Sequence, residues 1–372
     1  MIIFFSNHNH MELSEILKNK IIQHGPISFH DFMEIALYHP SAGYYNSDEN
    51  KIGKEGDYYT SPVLSSLFGK MIGKQLEEMW ILLGKKPFTI VEYGAGTGAL
   101  SFDILKYLTT NTSLYDELNY CIIEKSPAMQ AQQKRSLHEK VSWYHSIHEI
   151  PSINGCILSN EVLDNFPVHK VVMQNELMEV FVDFENDFVE VLQPANRKLK
   201  DYFNKQNIRL PRNYCAEVNL QAIDWMREIS AGLHSGFVVT IDYGFRSVDL
   251  YSSKRSSGTL LCYKDHQINN SPFSNIGKQD ITAHVNFSAL FHWGERYGLE
   301  LTGFSTQGNF LRSLGLMNQL RKLESESQEN NKDFILQIHK LLTDMGNKFK
   351  VLIQQKRVKS KFLTGLLLAD PI

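Results

Sequence analysis

The sequence predicts an α/β protein built on a doubly wound, mostly parallel, Rossmann-like sheet, with an N-terminal helical cap and an inserted lid subdomain. Three observations predict it. Residues 89–98, Thr-Ile-Val-Glu-Tyr-Gly-Ala-Gly-Thr-Gly, pass from a β-prone run into a glycine turn, and Leu100, Ile104, Leu105 and Leu108 follow at helical spacing. Further β-prone runs at 119–124, 155–159 and 236–242 alternate with helical patterns, which is the signature of parallel strands joined by crossover helices. Residues 168–233 interrupt that alternation with antiparallel-like strands.

The elements follow in order. Residues 12–38 have helical spacing, with Ser14 a candidate cap, a break at Pro26, and Ser28 placed to cap a second stretch from Phe29 to Leu37. Residues 38–62 are a polar loop, and 65–83 are helical again. Strand 89–93 leads to helix 97–109, strand 119–124 to helix 127–138, and a weak strand follows at 141–145. Strand 155–159 runs into Asn160-Glu161-Val162-Leu163-Asp164. The insertion carries strands over 168–191 with a turn near Glu185-Asn186-Asp187, then helices near 199–203 and 222–229. Strand 236–242 is β-branched enough to be buried on both faces. A helix begins at 287–291, a late strand fits 299–304, and 317–350 is polar and helical around a solvated stretch at 324–333. The implied domains are a cap over 1–86, a core over 87–167 and 234–316, a lid over 168–233, and a C-terminal helical segment with a terminal strand over 317–372. The chain has no internal repeat.

Composition narrows the function. Hydrophobic residues make up 42% and charged residues 21%, ordinary values for a soluble globular chain. The net charge of −3 provides no basic field for nucleic acid. Cys121, Cys156, Cys215 and Cys262 are too far apart for a zinc site or a redox dithiol, and a reducing cytoplasm is expected. No apolar run is long enough to span a membrane. The N-terminus lacks a basic lead and has no arginine before Arg135, so no mitochondrial presequence is expected. His8 and His10 read as part of a tail rather than as metal ligands, and no metal is expected.

The glycine turn points to a nucleotide-like cofactor, because glycines let backbone approach a ligand where a Cβ would collide. Gly94, Gly96 and Ala99 also satisfy the dinucleotide pattern. Glu92 tips the balance. It lies two residues before the first glycine, where a carboxylate suits the cationic amino acid end of S-adenosylmethionine and would gain nothing from a pyrophosphate. Glu124, ending the next strand, suits ribose hydroxyls in either cofactor. After the fourth strand, Glu161 and Asp164 are spaced i,i+3, so a helical turn would put both carboxylates on one face, able to grip a guanidinium or accept a proton. The same residues also suit a capped helix start.

Several stretches together resemble one family: Gly25-Pro26-Ile27-Ser28-Phe29, Tyr38-His39-Pro40-Ser41-Ala42-Gly43-Tyr44-Tyr45, Gly56-Asp57-Tyr58-Tyr59-Thr60-Ser61-Pro62, and Glu92 to Gly98. Asn160 to His169, Ile241-Asp242-Tyr243-Gly244, Gln279 to Val285 and Met345 to Leu352 add to the likeness. The chain resembles the MidA-like methyltransferases, the family containing the mitochondrial complex I assembly factor that methylates protein arginine. The resemblance implies a class I methyltransferase fold, S-adenosylmethionine as cofactor, and a protein substrate. It places cofactor contacts on Glu92, Gly94, Gly96, Gly98 and Glu124, and on Asp57 and Thr60 of the Gly56–Thr60 segment. Asn160, Glu161 and Asp164 are the expected catalytic residues; Glu217, Asp242, His266, His284, Tyr58 and Tyr59 are weaker candidates. The segment around 256–266 departs from the family pattern, with Ser256, Ser257, Leu261 and Lys264 near the places where arginines are usual, which bears on substrate identity. The rival readings are a non-catalytic assembly factor that uses the fold as a binding platform, and an NAD-dependent oxidoreductase.

Overall fold

The computed structural model describes residues 12–47, 51–53, 56–137, 140–325, 332–360 and 362–369. His8 and His10, and the N-terminal stretch read for a presequence, lie outside them. The central sheet is built from β1 (Phe88–Tyr93), β2 (Leu118–Ile123), β3 (Val141–Tyr144), β4 (Ile153–Asn160), β5 (Leu233–Phe245), β6 (Glu300–Thr306) and β7 (Phe349–Lys356). Their spatial order is β6-β7-β5-β4-β1-β2-β3, with the short strand Val285–Asn286 beside the end of β5. From β3 to β5 all neighbours are parallel, whereas β7 runs antiparallel between β5 and β6. The chain steps outward from β1 through β2 and β3, then returns to place β4 on the other side of β1. This reversal opens a crevice beyond the carboxyl ends of β1 and β4, where doubly wound sheets bind ligands.

The inner strands are buried on both faces because helices cover both. On one face Ser66–Leu82, Ala99–Leu108 and Gln307–Ser313 contribute Phe68, Ile72, Ile104, Leu108 and Phe310 to a core with Ile90, Tyr120 and Leu158 of the sheet. On the other face Leu220–Gly232 and Phe287–Arg296 pack against Val91, Ile157 and Val238. Ala222, Trp225, Met226 and Ile229 form one apolar stripe at spacings of three and four residues, so Leu220–Gly232 turns to the sheet and not to the strands that precede it. The last strand also departs from a simple linear reading. β7 is no edge, and Val351, Leu352, Ile353, Gln354 and Gln355 are all buried within the sheet.

A second, antiparallel sheet holds Leu177–Phe184 between Ile27–Ser28 and His169–Met173, with Cys215–Val218 beyond and Phe188–Pro194 pairing with Leu177–Phe184. The 185–187 turn falls where the sequence places it. The helices Leu13–His24 and Phe29–Tyr38 pack on this sheet, and Leu17, Phe29, Phe32, Val168, Val182 and Ile281 share one apolar core. The N-terminal cap and the insertion thus hold each other. Ser28 caps the second helix by accepting the Asp31 N–H at 3.1 Å. Ser14 lies inside the first helix, whose N-cap is Glu12, two residues earlier than the sequence suggests. A third, small sheet, Leu261–Lys264, Gln267–Asn269 and Asp280–Thr282, is absent from the sequence reading because its strands are only three or four residues long.

Candidate functional site

A cavity of about 1140 Å³ opens at the β1/β4 crevice. Its first wall is the glycine turn. Gly94 and Gly96 line it with φ of +60° and +54°, a region that costs side-chain-bearing residues strain. A Cβ on Gly94 would sit 3.1 Å from Val162 Cγ2, so the turn also seats against the segment after β4. Gly98 has φ of +82° but does not line the cavity; a Cβ there would meet Leu137 at 3.2 Å. Gly98, expected at the cofactor, lies off the cavity wall and seats the turn against Leu137 and Gln133 of the Pro127–Ser136 helix and its end.

Glu92 lines the cavity from beneath the turn, 2% exposed, and its Oε2 accepts bonds from Ser101 Oγ and Tyr120 Oη, each at 2.5 Å. Burial raises its pKa to about 7 despite those two bonds. Glu124 closes β2. Its Oε1 accepts the Ser126 N–H at 2.9 Å, and its Oε2 accepts Gln133 Nε2 at 3.0 Å. Gln133 is fully buried, donates to Gly96 O at 2.9 Å, and accepts Trp143 Nε1 at 2.9 Å. One amide thus couples the glycine turn to the acid at the end of β2. The sequence reading passed over Gln133, although a glutamine on the inner face of the 127–136 helix was the signal. Glu124→Ala is expected to weaken cofactor binding at least about tenfold, the scale of lost charge-assisted hydrogen bonds. Calorimetric titration with S-adenosylhomocysteine checks it, and a change under about twofold would assign the ribose to another residue.

The second wall is acidic. Glu161, Asp164 and Asp280 line the cavity, and Asp242 lies directly beneath. Burial is the largest cause of a raised pKa in all four: Glu161 and Asp242 reach about 8 and about 7, Asp280 about 7, and Asp164 stands well above the usual carboxylate range. Mutual repulsion adds to it, between Glu161 and Asp164 and among Asp164, Asp242 and Asp280. Among the described residues none of the four forms an ion pair.

Their partners divide their roles. Asp242 Oδ2 accepts the backbone N–H groups of Val162, Leu163 and Asp164 at 3.2, 3.0 and 3.4 Å, which anchors the turn after β4 and leaves Asp242 a turn-holding residue. Asp280 accepts Tyr45 Oη at 2.9 Å and Asn165 Nδ2 at 3.1 Å. Glu161 Oε1 accepts the Ser61 N–H at 2.9 Å and Asn160 Nδ2 at 3.2 Å; among the described residues its Oε2 has no donor. Among the described residues, Asp164 Oδ1 and Asn160 Oδ1 are buried without a hydrogen-bond partner. The i,i+3 helical face expected for Glu161 and Asp164 does not form. Glu161 has φ of +55° and precedes a short 3₁₀ turn, Leu163–Asn165. Asn160, Glu161 and Asp164 nonetheless meet at the cavity, because the anchored turn bends both acids toward it.

The remaining candidates separate cleanly. Thr60, Tyr58 and Tyr59 line the cavity. Asp57 does not; its carboxylate is taken by Tyr44 Oη at 2.6 Å and the Asp265 N–H at 2.7 Å, so the expected cofactor contact is corrected. Glu217 is also off the cavity and holds Thr259 through its N–H and Oγ1, both at 2.9 Å. His284 lines the cavity, and burial lowers its pKa to about 4, so it is neutral at physiological pH. His266 stacks on Tyr59 with ring centroids 5.0 Å apart. Asp280, Tyr45 and Trp225 line the site without having been given roles from sequence. Among the described residues no group of acids, histidines and cysteines has a metal-holding arrangement.

A family model described as putative S-adenosyl-L-methionine-dependent methyltransferase matches residues 71–305. The Drosophila melanogaster protein arginine methyltransferase NDUFAF7 homolog, mitochondrial, is 28% identical, covering 92% of this chain and 84% of its own length. The Homo sapiens protein arginine methyltransferase NDUFAF7, mitochondrial, is 26% identical, covering 90% of this chain and 81% of its own length. The crystal structure of a likely methyl transferase from Burkholderia thailandensis bound to S-adenosyl-homocysteine superposes with a TM-score of 0.86 at 29% identity, covering 96% of this chain and 95% of the other. The relatives named as mitochondrial overturn the expected cytoplasmic location. Four unpaired thiols fit any reducing compartment, so the cysteines could not make that distinction.

Proposed function

The chain belongs to this family of S-adenosylmethionine-dependent methyltransferases, and from that membership we propose that it methylates an arginine side chain of a protein substrate, with Glu161 and Asp164 receiving the guanidinium. The residues fit the cofactor: Gly94 and Gly96 give a cradle free of Cβ, Glu124 suits a pair of hydroxyls, and about 1140 Å³ holds cofactor and acceptor together. When bound, S-adenosylmethionine supplies an electrophilic methyl group; the chain supplies position, electrostatics and a place for the proton.

One observation carries the arginine reading. Four carboxylates are gathered at the cavity, and among the described residues none of them forms an ion pair. Burying like charges is costly unless a cation joins them. A guanidinium is permanently charged, with five donors in a planar fork that matches carboxylate geometry. It would pair with Glu161 Oε2 and Asp164 Oδ1, which have no hydrogen-bond donor among the described residues. Binding the cation lowers the pKa of both acids, because an opposite charge favours the ionised form. Carboxylates held against two guanidinium nitrogens draw positive charge toward themselves and leave the third a better nucleophile. Glu161, the less enclosed acid, takes the proton released on transfer. A pure binding platform has no need of such a cluster. The relatives named as arginine methyltransferases support the same acceptor. Among the described residues no helix is long and apolar enough to cross a membrane.

The test is transfer of labelled methyl from S-adenosylmethionine into a lysate of the host organism, with the modified residue mapped by mass spectrometry. Methylarginine in a protein is expected. Label on lysine, on a small molecule or nowhere would remove the arginine acceptor and leave the cofactor site standing.

A further inference from the structure

The hairpin Leu261–Lys264 and Gln267–Asn269 walls the acidic end of the cavity: Leu261, Tyr263 and Ile268 line it. Tyr263 pairs in register with Asp280 and feels the charges of Asp164, Asp280 and Glu161, which places it beside the acids. Its two-residue turn, Asp265-His266, has φ of +49° and +60°. Two left-handed residues in a two-residue hairpin make a type I′ turn, which strongly favours Asn-Gly. Asp265 suits the first position, but His266 stands where glycine is favoured, so the turn carries some strain at its second residue and gains from support outside it.

Asp57 supplies it. Asp57 Oδ1 accepts the Asp265 N–H at 2.7 Å, and Asp57 O accepts the His266 N–H at 3.1 Å. Both outward-facing amides of the turn are thereby held by one residue. Its Oδ2 accepts Tyr44 Oη at 2.6 Å, and Tyr44 packs edge-on to Tyr45, the residue bonded to Asp280. The next residues, Tyr58 and Tyr59, form the neighbouring wall, and Tyr59 stacks on His266 at an interplanar angle of 16°. Asp57 is therefore the joint between two walls of the opening, although it touches the cavity nowhere.

We propose that Asp57 is a positioning residue for the methyl acceptor: it holds the Asp265-His266 turn so that the hairpin and the Tyr58–Tyr59 wall frame the acidic end of the cavity, and it takes no part in cofactor binding. The proposal rests on the acceptor occupying the acidic end. Asp57→Ala in the full chain should raise KM for a blocked arginine-containing hexapeptide by at least about tenfold, the scale of one lost charge-assisted hydrogen bond, with kcat little changed. Affinity for S-adenosylhomocysteine should stay within about twofold. Amide hydrogen exchange at residues 265 and 266 should speed up in Asp57→Ala. Asp57→Asn keeps one acceptor oxygen and should recover part of the loss. Adding Asp265→Asn and His266→Gly to Asp57→Ala makes the turn self-sufficient and should bring exchange back toward wild type. A fall in cofactor affinity with KM unchanged would return Asp57 to the cofactor site. Unchanged exchange in Asp57→Ala would overturn the clamp. If wild type methylates no arginine peptide, the arginine reading fails by itself, and the exchange measurement still decides the clamp.

Discussion

Glu161→Gln should lower the single-turnover rate of methyl transfer by about 10²-fold or more, the scale of a lost general base, while affinity for S-adenosylmethionine holds. Glutamine keeps the size and the bonds to Ser61 and Asn160 and removes only the charge. Asp164→Asn should act in the same direction. In wild type, kcat/KM for the acceptor should climb with pH toward about 8, because Glu161 must lose its proton to receive the cation and burial holds that proton on. The climb should vanish in Glu161→Gln. Stability should move the other way. A carboxyl whose folded pKa is raised binds a proton in the native state that the unfolded chain has already released. Its stabilisation is full below the ordinary carboxylate range and is lost as pH rises through about 8 for Glu161. Glu161→Gln should therefore melt higher than wild type at pH 8.5, by about 2 °C or more, and no higher at pH 4.5. Wild-type transfer rates in both Glu161→Gln and Asp164→Asn would remove the two acids from the chemistry.

The other large effect concerns the cofactor. Gly96→Val should reduce affinity for S-adenosylmethionine by about 10²-fold, since a β-branched side chain is strongly disfavoured at φ of +54° and would project from a wall of the cavity. Any backbone adjustment also disturbs Gly96 O, through which Gln133 ties the turn to Glu124. Gly98→Ala provides the contrast. It should destabilise the fold through strain and contact with Leu137, yet leave affinity nearly intact, because Gly98 does not face the cavity. Titration calorimetry beside thermal melting separates the two. Equal cofactor affinity in Gly96→Val and wild type would take the turn out of the site.

These expectations rest on features of unequal legibility. β1, β2 and β5 could be read from the chain because β-branched runs and a glycine turn are local signals. The interior place of β7 could not, since pairing of Phe349–Lys356 with β5 joins residues more than a hundred positions apart. Glu161 and Asp164 were legible because a carboxylate just past a strand has a known geometric meaning. Their proposed helical face was not, because it depended on Asp242, whose side chain dictates the turn from another strand. Asp280 reaches the same cluster through Asn165, 115 residues away, and nothing near it in sequence announces the meeting. Asp57 was placed at the cofactor by resemblance alone; the Asp265 and His266 amides that claim it come from a hairpin the sequence barely signals.

The inward position of β7 has a consequence for how the chain is made. Until residues 349–356 emerge, β5 has one bare flank, and β6 has nothing to hold it in the sheet. That flank includes Val238, Val239 and Ile241, β-branched and destined for burial. Synthesis at roughly 5–20 residues per second leaves such a strand waiting several seconds for a partner more than a hundred residues downstream. A nascent chain in that state has an open template for pairing with another copy of itself. The helices that cover the same face belong partly to the late segment 307–342, so protection of the sheet arrives together with its final strand. Biogenesis of this molecule is therefore exposed to chaperone demand at one stage, and a ribosome stalled before Phe349 would release a product prone to clump.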